Sequence, residues 1–127
     1  MYQLLNRETD DVLLEQLQLA TSFWSRFVGL QFRSSLPSGR GLLIAPCTSI
    51  HTVGVLFPID VAFLDASGVI VEIRPHVKPC RVCVPRTKCR FVLETFAGAH
   101  QFETGMQVAI TSPSSVPRIL SALGRHV

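Results

Sequence analysis

Cys47, Ser49 and His51 alternate along one short stretch of the chain. In an extended strand successive side chains point to opposite faces, so this spacing puts all three on one face. A thiol near an imidazole is the minimum for a thiolate nucleophile, in which the His takes the proton and an acid orients the His. Thr52 and Asp60 follow closely enough to supply polar partners. Distance argues against the simplest version. Four strand rises separate residue 47 from residue 51, about 13 Å, which is too far for a direct hydrogen bond unless a bend near Pro46 shortens the span. A cysteine is also often a small buried apolar group. Three readings follow: a site that binds a ligand without transforming it, hydrogen bonds that hold the fold, and a Cys47/His51 nucleophilic site.

Asp60 stands in the otherwise apolar run 58–64, and Glu94 ends a Val-Leu-Glu. A carboxylate in apolar surroundings must be partnered. Asp60 is expected either to accept backbone N–H bonds around Pro58 or to act as a functional acid, and Glu94 poses the same choice. Acid/base work would follow if the two met in space. Cys80 and Cys83 form a C-x-x-C, and with Cys47 and Cys89 they make four thiols, the number of a structural zinc site. The usual zinc signature pairs two such knuckles and this chain has one, so a zinc-stapled interaction domain is an alternative rather than the first reading. On a strand Cys80 and Cys83 would point to opposite faces. Their motif opens no helix after a strand, which argues against a thioredoxin-like redox pair. No phosphate-binding glycine loop, metalloprotease helix motif or nucleophile elbow is present. His76, His100 and His126 stand alone and read as surface residues. The candidate ligand contacts are therefore Cys47, Ser49, His51, Thr52, Asp60 and Glu94, with no catalytic set, metal or cofactor assigned.

The elements that must position these residues are mostly strands. Residues 4–5 and 12–19 read as two strands joined by a polar turn. Thr21 and Ser22 are good helix caps, and Phe23, Phe27 and Leu30 fall on one helical stripe, so a helix is expected over 21–31. Loop residues fill 34–41. Apolar or alternating runs then predict strands at 42–45, 48–57, 59–64 and 69–73. The last two are joined by the turn Asp65-Ala66-Ser67-Gly68 as a hairpin. Residues 74–90 carry three prolines and read as an irregular edge, with a short strand near 82–84. Strands are expected again at 91–94 and 106–110, with one helical turn somewhere in 96–104. The inventory is a mainly β domain, a small barrel or sandwich of about seven or eight strands with one flanking α-helix. The domain is expected over residues 1–112. Residues 113–127 form a tail in which Ile119, Leu120 and Leu123 suggest a short helix that packs or frays.

Composition bounds what such a domain can be. Of its 127 residues 47% are hydrophobic and 17% charged, the reverse of the balance that keeps chains disordered. One domain with a real core follows. Net charge is +3 with a pI near 8.9. The basic residues are dispersed except for Arg74, Lys78, Arg81, Arg86, Lys88 and Arg90, which crowd one stretch. That stretch reads as a solvated strand face or as a patch for an anion or acidic partner. No aromatic residue interleaves with it before Phe91, so a nucleic-acid platform is not expected. The opening residues lack the pattern of a secretory signal, and no apolar run is long enough to span a bilayer. The expected setting is the cytoplasm, with the cysteines reduced.

The block from Phe23 to Ile110 resembles a family of bacteria and archaea known as domain of unknown function 192. The likeness is carried by Arg26-Phe27-Val28-Gly29-Leu30 with Arg33 and Leu36, and by Gly41-Leu42-Leu43-Ile44. It continues in Phe57-Pro58-Ile59-Asp60-Val61-Ala62-Phe63-Leu64-Asp65 with Gly68, Ile70 and Val71. It ends in Val92-Leu93-Glu94, Ala97-Gly98, Gly105 and Val108. The resemblance implies a small barrel-like domain with a flanking helix that closes without metal, and it carries no settled activity. His51 stands where the family usually has Trp, and Gly54 where it has Asn, which suggests a subgroup built on Cys-x-Ser-x-His-Thr. The first functional expectation is a non-enzymatic ligand-binding or accessory module for a small molecule or protein. The rivals are the Cys47/His51 enzyme and the zinc-stapled domain.

Overall fold

The computed structural model describes residues 2–21, 39–47, 49–52, 55–98, 101–111 and 118–124. Within them lie nine strands: β1 (Tyr2–Asn6), β2 (Val12–Ala20), β3 (Arg40–Ile44), β4 (Ile50–His51), β5 (Ile59–Leu64), β6 (Ile70–Val77), β7 (Val82–Cys83), β8 (Phe91–Phe96) and β9 (Val108–Thr111). Seven form one sheet in the order β6-β5-β8-β3-β2-β1-β9, and β4 and β7 make a separate ribbon. β2 and β3 run parallel, and the other neighbouring pairs are antiparallel. The helix expected over 21–31 lies outside the described residues.

The apolar runs become strands covered on both faces, as continuous hydrophobic sequence requires. Leu43, Ala62, Leu64 and Leu93 face one core together with Leu4, Leu14 and Ile110. Their neighbours Leu42, Ile44, Val61, Phe63 and Val92 face a second core. The first is closed by a 3-10 helix, Arg118–Leu123, whose Leu120 and Leu123 are fully buried. The helix expected near 119–123 therefore packs on the sheet. The second core is covered by the segments that carry β4 and β7, through Ile50, Cys83 and Cys89.

The sheet curls until its two edges meet at one corner. Val69 bridges Gln107, the Ile70 N–H donates to the Met106 carbonyl at 2.8 Å, and the Val108 N–H donates to the Gly68 carbonyl at 3.0 Å. Gly68 has φ +84, and a Cβ there would lie 3.0 Å from the Val108 carbonyl oxygen, so only glycine lets this corner form. No continuous ladder joins β6 to β9 among the described residues. The expected barrel or sandwich is found as one curled mixed sheet with a two-stranded ribbon beside it.

Several expectations change. The strand expected at 48–57 shrinks to Ile50–His51. No described residue of 96–104 is helical: Phe96 ends β8, and 97–98, 101 and 104 are turn residues. The short strand near 82–84 is β7. Strand β6 does not end at Ile73 but runs to Val77. It can do so because it lies at the sheet edge, where Pro75 forfeits no ladder bond on its outer side. The sequence pays in register: Ile59 pairs with Val77 and Val61 with Arg74, so β6 carries one residue more than β5 over the same interval. That is a β-bulge at Pro75–His76, and His76 sits there at φ 50.

Candidate functional site

The structure disperses the six candidate residues. Ser49 and His51 are exposed on one side of β4, with buried Ile50 between them. Cys47 is half-buried, and its thiol donates to the Ser49 carbonyl at 2.9 Å. The Cys89 thiol donates in turn to the Cys47 carbonyl at 3.6 Å. Glu94 is buried on β8, paired with Leu42 and Val61, on the second core face. Asp60 pairs with Thr95, one position along, and so lies on the opposite face. The acid/base pair of Asp60 and Glu94 is therefore not formed.

Two of the six prove to be anchors. Asp60 Oδ1 accepts the His76 N–H at 2.8 Å, and Oδ2 accepts the Gly98 N–H at 3.0 Å. The bulge in β6 removes His76 from the ladder, and the carboxylate replaces the lost acceptor. Asp60 does accept backbone donors, but from the bulge and from the end of β8 rather than around Pro58. Thr52 is fully buried. Its Oγ1 accepts the Arg81 N–H at 2.7 Å and donates to the Lys78 carbonyl at 2.7 Å. Its own N–H donates to the Arg81 carbonyl at 2.7 Å, and its carbonyl accepts the Cys80 N–H at 3.1 Å. One side chain thus holds the turn 78–81, in which Cys80 takes φ 61.

What these anchors hold is a cleft. It opens between β6 and β7 with a volume of about 340 Å³, lined by Arg74, His76, Lys78 and Arg81 with Val77 and Val82 among them. Arg74 is partly engaged, with Nε donating to Glu72 and Nη2 to the Val84 carbonyl at 3.0 Å. The Arg81 guanidinium reaches only the Pro79 and Cys80 carbonyls, at 3.3 and 3.5 Å. Glu72 is the one acid between residues 72 and 90, and both its oxygens are used, Oε1 by the Arg86 N–H at 2.8 Å and Oε2 by Arg74. The Arg86 N–H bond, with Arg74 beside it, holds Glu72 below the usual carboxylate range against the opposing effect of burial. The cleft carries a surplus of positive charge over a rigid backbone.

Burial disfavours the thiolate of two cysteines, Cys83 at the cleft and Cys89. Burial pushes the Cys83 thiol up; Arg74 pulls against it, while Glu94 and Glu72 add to it. Burial also pushes Cys89 up, reinforced by Cys47 and Glu72. A thiol held protonated is a poor nucleophile and a poor metal ligand. Cys80 is exposed in the turn 78–81 and Cys83 is buried on β7. Among the described residues no three His, Cys, Asp or Glu side chains gather as metal ligands.

Residues 5–110 match the DUF192 family, described as an uncharacterized ACR. The chain belongs to that family. It is 29% identical over 99 residues to a UPF0127 protein of Thermococcus sibiricus, covering 75% of this chain and 64% of that one. It is 32% identical over 84 residues to a UPF0127 protein of Pyrococcus horikoshii, covering 62% and 70%. The matched part is thus a little under two thirds of the Thermococcus relative. The solved structure of a protein of unknown function from Novosphingobium aromaticivorans has the same fold, with a TM-score of 0.72 at 18% identity over 84% of this chain and 81% of that one. Among the described residues of this DUF192 domain, no helix is long and apolar enough to cross a membrane.

Reading the DUF192 domain by residue type singled out the thiol and imidazole of 47–51 and treated His76 as isolated. Arg74, His76 and Lys78 alternate in sequence, but the bulge at Pro75–His76 breaks the strand period, so alternation alone does not place them on one face.

Proposed function

We propose that this DUF192 domain is a non-enzymatic recognition module whose binding place is the cationic cleft between β6 and β7, and whose ligand is anionic. The observation that carries the reading is the convergence of Arg74, His76, Lys78 and Arg81 on one open cleft. Its walls are tied by hydrogen bonds from their backbone to Thr52 and Asp60. Charge held on a preorganised frame favours binding an opposite charge, because little ordering remains to be done on association. On this reading Cys47-x-Ser49-x-His51-Thr52 marks a subgroup of the family in which Thr52 anchors the cleft wall. The ligand is a small molecule or a protein rather than nucleic acid or membrane, since no Phe, Tyr or Trp lines the cleft. The setting is the cytoplasm, where the cysteines stay reduced.

A second reading puts the ligand on β4. It is favoured by the exposure of Ser49 and His51 on one side of that strand, with Cys47 half-buried beside them. One titration separates the two. Isotope-labelled protein is titrated with inorganic pyrophosphate and followed by NMR. Saturable shifts confined to the amides of 74–83, weakened by salt and lost in a Lys78→Ala/Arg81→Ala variant, are expected. Shifts centred on 49–51 and abolished by His51→Ala would instead carry the β4 reading. Absence of saturable shifts at both places would overturn both.

A further inference from the structure

The cationic cleft does not end at its own rim. Beyond it, β7 and the residue after it turn two valines outward while Cys83 between them is buried. Val82 is 71% exposed and Val84 61%. Single exposed valines are ordinary. Two at alternate positions beside a charged cleft form a short apolar stripe. The stripe is held in place, since Arg74 Nη2 bonds the Val84 carbonyl at 3.0 Å, and the ribbon pairs Val82 with His51. Lys78 and Arg81 lie on one side of it in sequence. Arg86, Lys88 and Arg90, all exposed, lie on the other. The one ion pair among the described residues is Arg74–Glu72, so none of these five cations is ion-paired with a described carboxylate, although the Arg86 backbone N–H is bonded to Glu72.

We infer that this face docks an acidic, extended segment of a partner protein, whose apolar residues cover Val82 and Val84 while its carboxylates meet Lys78, Arg81 and the cations of 86–90. The inference rests on the cleft being the binding place and names its occupant. Charge complementarity selects the acid. The stripe selects a chain with apolar side chains over a small anion, which would fill the cleft and leave Val84, outside its lining, in water. An extended segment with apolar residues between acidic ones matches the surface, because the cations flank the two valines along one strand and its continuations. Single-stranded nucleic acid fits less well, since its bases need aromatic platforms.

The test compares three probes on the full chain: inorganic pyrophosphate, a peptide alternating Asp and Leu, and a peptide of the same charge alternating Asp and Ser. The Asp-Leu peptide is expected to bind on the order of 10-fold tighter than the Asp-Ser peptide, the gain of covering two valines. A Val84→Ser variant, outside the cleft lining, should shrink that difference and leave pyrophosphate binding unchanged. Equal binding of the two peptides, with pyrophosphate still in the cleft, overturns this inference and spares the cleft. A single-stranded DNA oligonucleotide that binds tighter than either peptide also overturns it. Failure of all the probes removes the cleft as well.

Discussion

Residues 47–52 and residues 74–83 make an instructive pair. The first stretch holds the residue types of chemistry, a thiol, a hydroxyl and an imidazole in alternation. The second reads as a proline-broken run of surface cations. In the folded chain the first stretch spends its most deeply buried polar group, Thr52, on holding the second. The thiol of the first is directed at a backbone carbonyl. Polar residue types show what a side chain can do, whereas burial decides what it is used for. A fully buried hydroxyl with backbone donors and acceptors around it is consumed by them, because leaving them unpaired costs more than any surface interaction returns. Exposed cations over a frame so held keep their charge available.

The comparison can be broken most directly at Thr52. Thr52→Val keeps the shape and removes the hydroxyl, leaving the Arg81 N–H and the Lys78 carbonyl without it. A loss of about 2–3 kcal/mol in chemical denaturation is expected, with amide shifts spreading through 74–83, and Thr52→Ser should restore most of both. If Thr52→Val leaves the cleft amides where they were, the first stretch does not support the second.

Asp60→Asn should act less strongly and at the other wall. An amide presents one oxygen where the carboxylate presents two, so one of the His76 and Gly98 N–H groups loses its acceptor. The expected cost is about 1.5 kcal/mol. Amide exchange at His76 and Gly98 should rise before global unfolding does. Protection unchanged at both would mean that the bulge holds itself.

The smallest effect belongs to Glu72. Its folded-state pKa is lowered by the Arg86 N–H and by Arg74. Its contribution to stability is therefore present above the unfolded-state carboxylate pKa and lost as pH falls through the folded value. Glu72→Gln should lower stability at neutral pH by an amount on the order of 0.5 kcal/mol and leave stability below the folded-state value nearly unchanged, so that the acid limb of a stability-against-pH curve flattens. An acid limb identical to that of the native sequence would remove Glu72 as the counter-charge of the cleft rim.

Much of the fold was legible because it follows from local periodicity. The runs 42–45, 59–64 and 91–94 are apolar at every position but Asp60 and Glu94, as strands covered on both faces are, and they fall in β3, β5 and β8. Asp65 to Gly68 had the composition of a hairpin turn, and Ile119, Leu120 and Leu123 the spacing of a packed helical turn. The extension of β6 past Pro75 was not legible, because a proline reads as a stop until the strand is known to lie at an edge. The site was legible least. Thr52 meets Lys78 and Arg81 across 26 and 29 residues, and Asp60 meets Gly98 across 38.

The sequence by itself determined the strands whose apolar runs are continuous, β3, β5 and β8, since their pattern is written in neighbouring residues. Only the tertiary structure decided that one extra residue in β6 would throw out His76, that Asp60 would stand opposite to receive it, and that Thr52 would reach the turn beyond. Each of these depends on the register between strands distant in sequence. Register is set by the packing of whole faces and the closure of the loops between them, so a single residue more or less exchanges every partner while leaving the local pattern intact.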